Sequence, residues 1–218
     1  MKCTGRIVIT IFAFLLHSMY IVYYFCRDGK IEPFDVYTYP LLIFGGYWTG
    51  KQYDKVKFFS EKDELTGLYN RRFVIKSFEK IASLAERANS KLFLLVIDCD
   101  NFKLINDRNG HHKGDLILTQ IAETLIRSTR KSDIAARWGG DEFLVIGHYK
   151  DEAGLQTFLK RLHNDLENLS KQVNVGVSAS IGSAVFPDVS RDLDELIKSA
   201  DQNMYMYKEQ RKTGSGEK

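Results

Sequence analysis

Ile134-Ala135-Ala136-Arg137-Trp138-Gly139-Gly140-Asp141-Glu142-Phe143-Leu144-Val145-Ile146 reads as two short strands, Ile134 to Trp138 and Phe143 to Ile146, folded about a Gly-Gly turn. Both central residues of the favoured two-residue hairpin need positive φ, which glycine adopts at no steric cost. Two carboxylates, Asp141 and Glu142, stand at the tip. An isolated acidic tip is usually only solvated. This one gains meaning from Leu92 to Asp98, an almost wholly apolar run of strand length that ends in a carboxylate. Such a run fits a central strand buried on both faces. If the hairpin pairs beside it, Asp98 and Asp141 meet at one rim of a sheet, where ligands commonly gather.

Helical periodicity surrounds these strands. Arg71 to Arg87 and Lys113 to Arg130 read as helices, the second with Ile117, Ile121 and Leu125 on one face. Leu155, Phe158, Leu159, Leu162, Leu166 and Leu169 form a core-facing stripe. Val173 to Val185 is β-rich, and Leu193 to Lys208 is a last helix with Ser190 as its expected N-cap. Strands and helices interleave as in an α+β fold, with a central, mostly antiparallel sheet flanked by helices.

Apolar residues make up 44% and charged residues 27% of the 218, which excludes a disordered or fibrous chain. A net charge of +3, scattered along the chain, gives no case for nucleic acid. Three cysteines are too few for a disulfide scaffold. The averages conceal a greasy start. Ile7 to Phe25 carries no charge and approaches the roughly 20 residues that cross a hydrocarbon core. No small-x-small cleavage site follows it, so an uncleaved anchor is expected. His17, inside the run, suits a helix–helix polar contact. A second apolar stretch, about 33–49, completes an expected transmembrane hairpin over 1–50. Lys2, Arg6, Lys51, Lys55 and Lys57 flank its outer ends, which would place both termini in the cytoplasm of a multi-pass cell-membrane protein. Cys3 and Cys26 would then face opposite sides of the bilayer, and Cys99 would be a plain buried thiol. Residues 51–62 read as a stalk, 63–212 as the soluble domain, and 213–218 as a polar tail.

Two hard carboxylates at a strand end form a natural Mg²⁺ site with positions left for water and phosphate oxygens, which suits phosphoryl or nucleotidyl transfer. Gly139 and Gly140 leave a tip without side chains, so a bulky substrate can approach the backbone. Gly110, His111 and Gly114 permit a tight turn. Asn106 and Asp115 flank it and could read a base edge, or serve as caps and turn residues.

These segments resemble the GGDEF family, the diguanylate cyclases. Asp63-Glu64-Leu65-Thr66-Gly67-Leu68-Tyr69-Asn70-Arg71-Arg72 is similar to the family's opening signature. Asp98-Cys99-Asp100-Asn101-Phe102-Lys103, Ile105-Asn106-Asp107, Gly110-His111 and Gly114-Asp115 resemble its second block. Gly139 to Phe143 is the naming motif unaltered, and Ser178 to Gly182 and Ala200-Asp201 through Lys208 resemble the last two blocks.

The resemblance implies a fold similar to adenylyl cyclase domains and polymerase palms. It also implies condensation of two GTP molecules into cyclic di-GMP with release of two pyrophosphates. Asp98, the Cys99 carbonyl and Asp141 would hold Mg²⁺ or Mn²⁺, and Glu142 would assist the 3′-hydroxyl. Asn106 and Asp115 would hold guanine. The backbone at Asn101 and Phe102, with Lys103 and Lys208, would hold phosphates; Lys212 stands where the family usually has an arginine. Arg130 and Asp133 fall at the family's inhibitory site for the product. One GTP per domain implies a homodimer, tethered at the lipid bilayer. The alternative is a catalytically silent module that binds GTP or cyclic di-GMP as a receptor. Arg211 and Thr213 depart from the family's glycine and asparagine, and the edge strand that would follow them is not expected here.

Overall fold

The computed structural model describes residues 4–173 and 175–214, with backbone alone at 207 and 209–214. Lys2, Cys3 and residues 215–218 of the tail lie outside the described residues. Two units form, Met1–Glu61 and Lys62–Lys218.

In the first unit, α1 (Thr4–Asp28) packs against α2 (Pro33–Glu61). Among the described residues, α1 alone is long and apolar enough to cross a membrane. Two crossings are therefore not supported. Helix α2 runs without a break through both the second apolar stretch and the stretch read as a stalk. Gly46 and Gly50 serve packing rather than termination. A Cβ on Gly50 would lie 2.5 Å from the Arg6 Cα, and one on Gly46 would lie 3.2 Å from the Thr10 Cα. Small residues let two helix backbones approach this closely. Asp54, 5% exposed, accepts from the amides of Gly5 at 2.7 Å and Arg6 at 3.2 Å, and from Arg6 Nε at 3.2 Å. A carboxylate at a helix N-terminus satisfies amides that have no intrahelical partner. His17 makes the expected interhelical contact, with Nε2 3.0 Å from the Asp35 carbonyl oxygen and 2.8 Å from Thr38 Oγ1.

The second unit contains β1 (Tyr69–Asn70), α3 (Arg71–Arg87), β2 (Lys91–Cys99), α4 (Phe102–Asn109), α5 (His111–Ser128) and β3 (Ile134–Arg137). It continues with β4 (Glu142–Tyr149), α6 (Glu152–Val173), β5 (Ala179–Phe186) and α7 (Leu193–Gly214). The sheet order is β1-β3-β4-β2-β5; β1 is parallel to β3 and every other pairing is antiparallel. The apolar run in β2 is buried on both faces, as its composition requires. Phe93, Leu95, Ile97 and Cys99 join a core with Ile117 and Ile121 of α5 and Leu162 and Leu166 of α6. Leu92, Leu94 and Val96 join the opposite core with Val74 and Phe78 of α3 and Leu196 and Ala200 of α7. This alternation places Asp98, the next even position, on the α3–α7 side.

Three local expectations need correction. The β3–β4 connection is not a two-residue turn with both glycines at positive φ: Gly139 and Gly140 are absent from the positive-φ residues, and four residues span the link. The amides of Trp138 and Gly139 both donate to the Glu142 carbonyl, at 2.8 and 3.3 Å, which closes a wider tip. The β-rich stretch read as starting at Val173 becomes strand only from Ala179, because α6 reaches Val173. Finally, Asp192 rather than Ser190 caps α7: Asp192 Oδ1 accepts from the Glu195 amide at 3.0 Å, while Ser190 Oγ accepts from the Asp192 amide.

Candidate functional site

The β2–β4 register places Asp98 directly opposite Glu142, and the Cys99 amide donates to the Asp141 carbonyl at 3.1 Å. The hairpin therefore does pair beside the central strand, and the three acidic residues gather at one end of it. The Glu142 carboxyl is held above its ordinary range by burial first, then by the charges of Asp98, Asp201 and Asp141. Asp201, on α7, is raised by burial and by Asp98. Like charges this close disfavour ionisation unless a cation joins them. A cation is in fact present: Lys208 Nζ donates to Asp98 Oδ1 and stands 3.8 Å from Asp100 Oδ1. Among the described residues, no three His, Cys, Asp or Glu side chains stand at metal-binding spacing. The donor chemistry nevertheless suits a hard divalent ion, since it is oxygen-rich, acidic and already balanced by an ammonium. Cys99 is no thiolate ligand. Burial, then the charges of Asp141, Asp100 and Asp98, push its thiol up to about 12.

Beyond Cys99 the chain turns sharply. Asn101 adopts the left-handed conformation at φ 55°, and no side chain caps α4. The amides at Phe102 and Lys103 thus open the helix, in the arrangement that receives phosphate oxygens. Asp100 anchors this turn to the segment leading into β5. Its Oδ2 accepts from Ser178 Oγ at 2.8 Å, its Oδ1 from Ser180 Oγ at 2.6 Å, and its amide donates to the Ser178 carbonyl at 2.9 Å.

Asn106 follows on α4, with its Oδ1 buried and without a hydrogen-bond partner. A buried amide oxygen left unpaired is costly unless a ligand supplies the donor. Gly114 makes room for it, because a Cβ there would sit 1.9 Å from that oxygen. Asp115, exposed, is the fifth residue of α5. Gly110, at φ 81°, makes the bend between the two helices. Gly139 leaves space for the Glu142 carboxylate, since a Cβ there would lie 2.8 Å from Oε2, whereas Gly140 faces open space.

Sequence reading assigned no role to several residues that build this site. Arg137 donates to the Gly140 carbonyl from Nε at 3.1 Å and Nη2 at 2.7 Å, and its Nη1 reaches Asp63 Oδ1 at 3.2 Å. Asp63 in turn accepts from the Thr66 amide and hydroxyl at 2.9 and 2.7 Å. Asp100, Ser178, Ser180 and Asp201 were visible only as members of motif blocks. For Asp100, Ser178 and Ser180 the one signal is polarity next to apolar strands, whereas Asp201 lies within α7. The side chain of Lys212 lies outside the described residues, although its backbone continues α7.

Arg130 and Asp133 lie elsewhere. The Arg130 amide donates to Asp133 Oδ2 at 2.8 Å, which closes a turn after α5. Both residues line a cavity of about 450 Å³ with Arg127, His148, Lys150 and Arg161. This cavity adjoins the Tyr149 end of β4, whereas the carboxylates stand at its Glu142 end. Strand rise puts the two ends roughly 20 Å apart.

The family model for the GGDEF domain of diguanylate cyclases matches residues 60–214. Diguanylate cyclase DgcP of Escherichia coli is 36% identical over 152 residues, covering 68% of this chain and 45% of that protein. Diguanylate cyclase DgcS of Shewanella oneidensis is 34% identical over 180 residues, covering 82% of this chain and 57% of that protein. The chain thus spans under half of DgcP and little more than half of DgcS. Among solved structures, the GGDEF domain of TpbB (YfiN) from Pseudomonas aeruginosa superposes with a TM-score of 0.63 at 35% identity, covering 68% of this chain and 89% of that one. The coiled coil and GGDEF domain of DgcB from Caulobacter crescentus, in complex with c-di-GMP, gives 0.65 at 25% identity, covering 73% and 86%. The carboxylate rim, the uncapped α4 turn and these likenesses agree, and the chain belongs to the GGDEF domain family of diguanylate cyclases.

Proposed function

We propose that this chain is an active, membrane-anchored diguanylate cyclase that joins two GTP molecules into cyclic di-GMP. The observation that carries this reading is the register of Asp98 opposite Glu142, with Asp141 beside them, next to the uncapped start of α4. In each half-reaction, one GTP's 3′-hydroxyl oxygen bonds to the α-phosphorus of the other GTP. The bond from that phosphorus to the bridging oxygen breaks, and pyrophosphate leaves. Asp98, Asp141 and the Cys99 carbonyl would hold Mg²⁺ or Mn²⁺, which when bound spreads the charge that develops on the phosphoryl oxygens. Glu142 would take the hydroxyl proton, a role supported by its raised affinity for protons, from burial and its acidic neighbours. Asn106 and Asp115 orient guanine, and the unpaired Asn106 Oδ1 supports an incoming donor there. The amides of Phe102 and Lys103, with Lys103 and Lys208, steady the phosphates, and open space at Gly140 admits the second nucleotide. Lys212 is assigned to the phosphates on motif position alone.

One domain presents one such site, so two copies must face each other about a twofold axis. Helix α1 supplies the membrane anchor, with the catalytic unit in the cytoplasm, and tethering raises the concentration of copies that can meet. The cavity at Arg130 and Asp133 is rich in guanidinium groups, which suits a phosphate-bearing guanine dinucleotide, and we assign it to inhibition by the product.

The test is incubation of the full-length protein with Mg²⁺ and GTP, followed by chromatography for cyclic di-GMP. Product is expected from the wild type and absent from Asp141→Ala. Tight GTP binding without turnover would instead make the chain a receptor. Arg130→Ala is expected to raise the cyclic di-GMP concentration needed for half-inhibition; an unchanged value removes the inhibitory assignment.

A further inference from the structure

We propose that Lys208 is an exchangeable counter-ion of Asp98. It occupies that carboxylate while no nucleotide is bound, and moves to the triphosphate when metal and GTP load together. The inference rests on the reading of this rim as a metal–GTP site, and it adds a built-in coupling between the two ligands.

Lys208 lies between two carboxylates of unequal freedom. Its Nζ is hydrogen-bonded to Asp98 Oδ1 and stands 3.8 Å from Asp100 Oδ1. Asp100 is pinned, because each of its oxygens accepts from a serine hydroxyl, Ser178 at 2.8 Å and Ser180 at 2.6 Å, and its amide is also bonded to the Ser178 carbonyl. It is a fixed negative post, each of whose oxygens already accepts one hydrogen bond. Asp98, in contrast, has no hydrogen-bond donor among the described side chains other than Lys208. Lysine carries a point charge on a flexible stem, so it can turn about such a post without breaking a planar fork. Its side chain, 30% exposed, has the room to do so.

An ammonium bonded to Asp98 Oδ1 and a divalent cation on the same carboxylate repel each other. In the free protein the metal therefore binds against that charge or pushes Lys208 aside toward Asp100 alone. In the presence of the triphosphate, phosphate oxygens at the α4 start take the ammonium, and Asp98 is released. Metal binding alone is thereby weakened and metal binding with nucleotide favoured, which is positive coupling between two ligands. Asp100 holds the ammonium near both partners and acts as a positioning residue. The arrangement also neutralises part of a rim where Asp98, Asp141, Glu142 and Asp201 would otherwise repel.

The test is a titration of the full-length protein with Mn²⁺ alone, followed by the electron paramagnetic resonance of free Mn²⁺. Asp98→Ala serves to subtract binding at other sites. Lys208→Met is expected to bind Mn²⁺ at this site about three- to tenfold more tightly than wild type, the scale of a partly exposed ion pair. The same variant is expected to lose most of the gain in Mn²⁺ affinity that α,β-methylene GTP, which cannot release pyrophosphate, confers on wild type. Lys208→Gln should match Lys208→Met, and Lys208→Arg should restore weak Mn²⁺ binding. Mn²⁺ affinity no tighter in folded Lys208→Met and Lys208→Gln than in wild type overturns the proposal. If cyclic di-GMP forms normally while these affinities are unchanged, the exchange fails and the cyclase reading stands. If no cyclic di-GMP forms but the affinities shift as expected, the cyclase reading fails and the exchange stands.

Discussion

Arg137 and Gly140 are joined by two hydrogen bonds, from Nε at 3.1 Å and Nη2 at 2.7 Å to one carbonyl oxygen. The guanidinium thus grips the backbone of the residue before Asp141, and its third nitrogen reaches Asp63 at 3.2 Å. A lysine offers no such fork. We expect Arg137→Lys and Arg137→Ala to lower kcat for cyclic di-GMP synthesis about tenfold or more, because a small displacement of a reacting group is costly. Steady-state kinetics at saturating GTP check this, and an unchanged kcat would mean that the tip holds its shape unaided.

Asp63 makes stability depend on pH. Burial raises its proton affinity, but hydrogen bonds from Thr66 and the charge and hydrogen bond of Arg137 outweigh that, so its carboxyl titrates below its ordinary value. A depressed folded-state value means that the stabilisation is complete above the ordinary carboxylate range, about pH 4. It is lost as pH falls through the depressed value. Asp63→Asn should therefore melt below wild type at neutral pH, and the gap should close in acid. Thermal melts across that interval decide it, and a gap constant with pH counts against the linkage.

Gly114 and Asn106 fit as a pair. A methyl group at Gly114 would lie 1.9 Å from Asn106 Oδ1, so Gly114→Ala must displace the amide or the helix that carries it. We expect Gly114→Ala and Asn106→Ala each to weaken GTP binding about tenfold, the scale of losing a buried hydrogen-bonding partner. Discrimination against ATP should fall in parallel. Calorimetry with α,β-methylene GTP and its adenine counterpart measures both. Full guanine selectivity in Asn106→Ala would remove that residue from base recognition.

The contrast between Asp98 and Arg137 explains what could be read from sequence. Asp98 was legible because β2 is buried on both faces, so a carboxylate at its end interrupts an apolar pattern. The hairpin was legible because two strand-like runs flank small residues. Arg137 was not, since an arginine at a strand end looks like a solvated charge until the fold brings Gly140 and Asp63 to it. Strand β1, Tyr69–Asn70, is too short to show alternation and exists by pairing with β3. The φ expectation for Gly139-Gly140 failed because β3 ends at Arg137 and β4 opens at Glu142, so four residues rather than two make the connection. The continuity of α2 was hidden by glycines that normally end helices; here Gly46 and Gly50 line the seam with α1.

That seam yields the last prediction. At Gly50 the backbones approach so closely that a Cβ would stand 2.5 Å from the Arg6 Cα and 2.7 Å from the Gly5 carbonyl oxygen. These are backbone atoms, so no side-chain rotation relieves the clash, and the helices must separate or slide. Separation would also pull Asp54 from the Gly5 and Arg6 amides it caps, leaving a carboxylate that is 5% exposed without its donors. A buried charge stripped of its partners is strongly destabilising. We therefore expect Gly50→Val to widen the hairpin, whereas Gly45→Val, where a Cβ meets nothing within 4 Å, should leave it unchanged. Spin labels at exposed Phe12 on α1 and exposed Phe44 on α2 report the spacing by pulsed dipolar spectroscopy. Equal distances in the two variants would show that the glycine seam does not set how α1 and α2 pack.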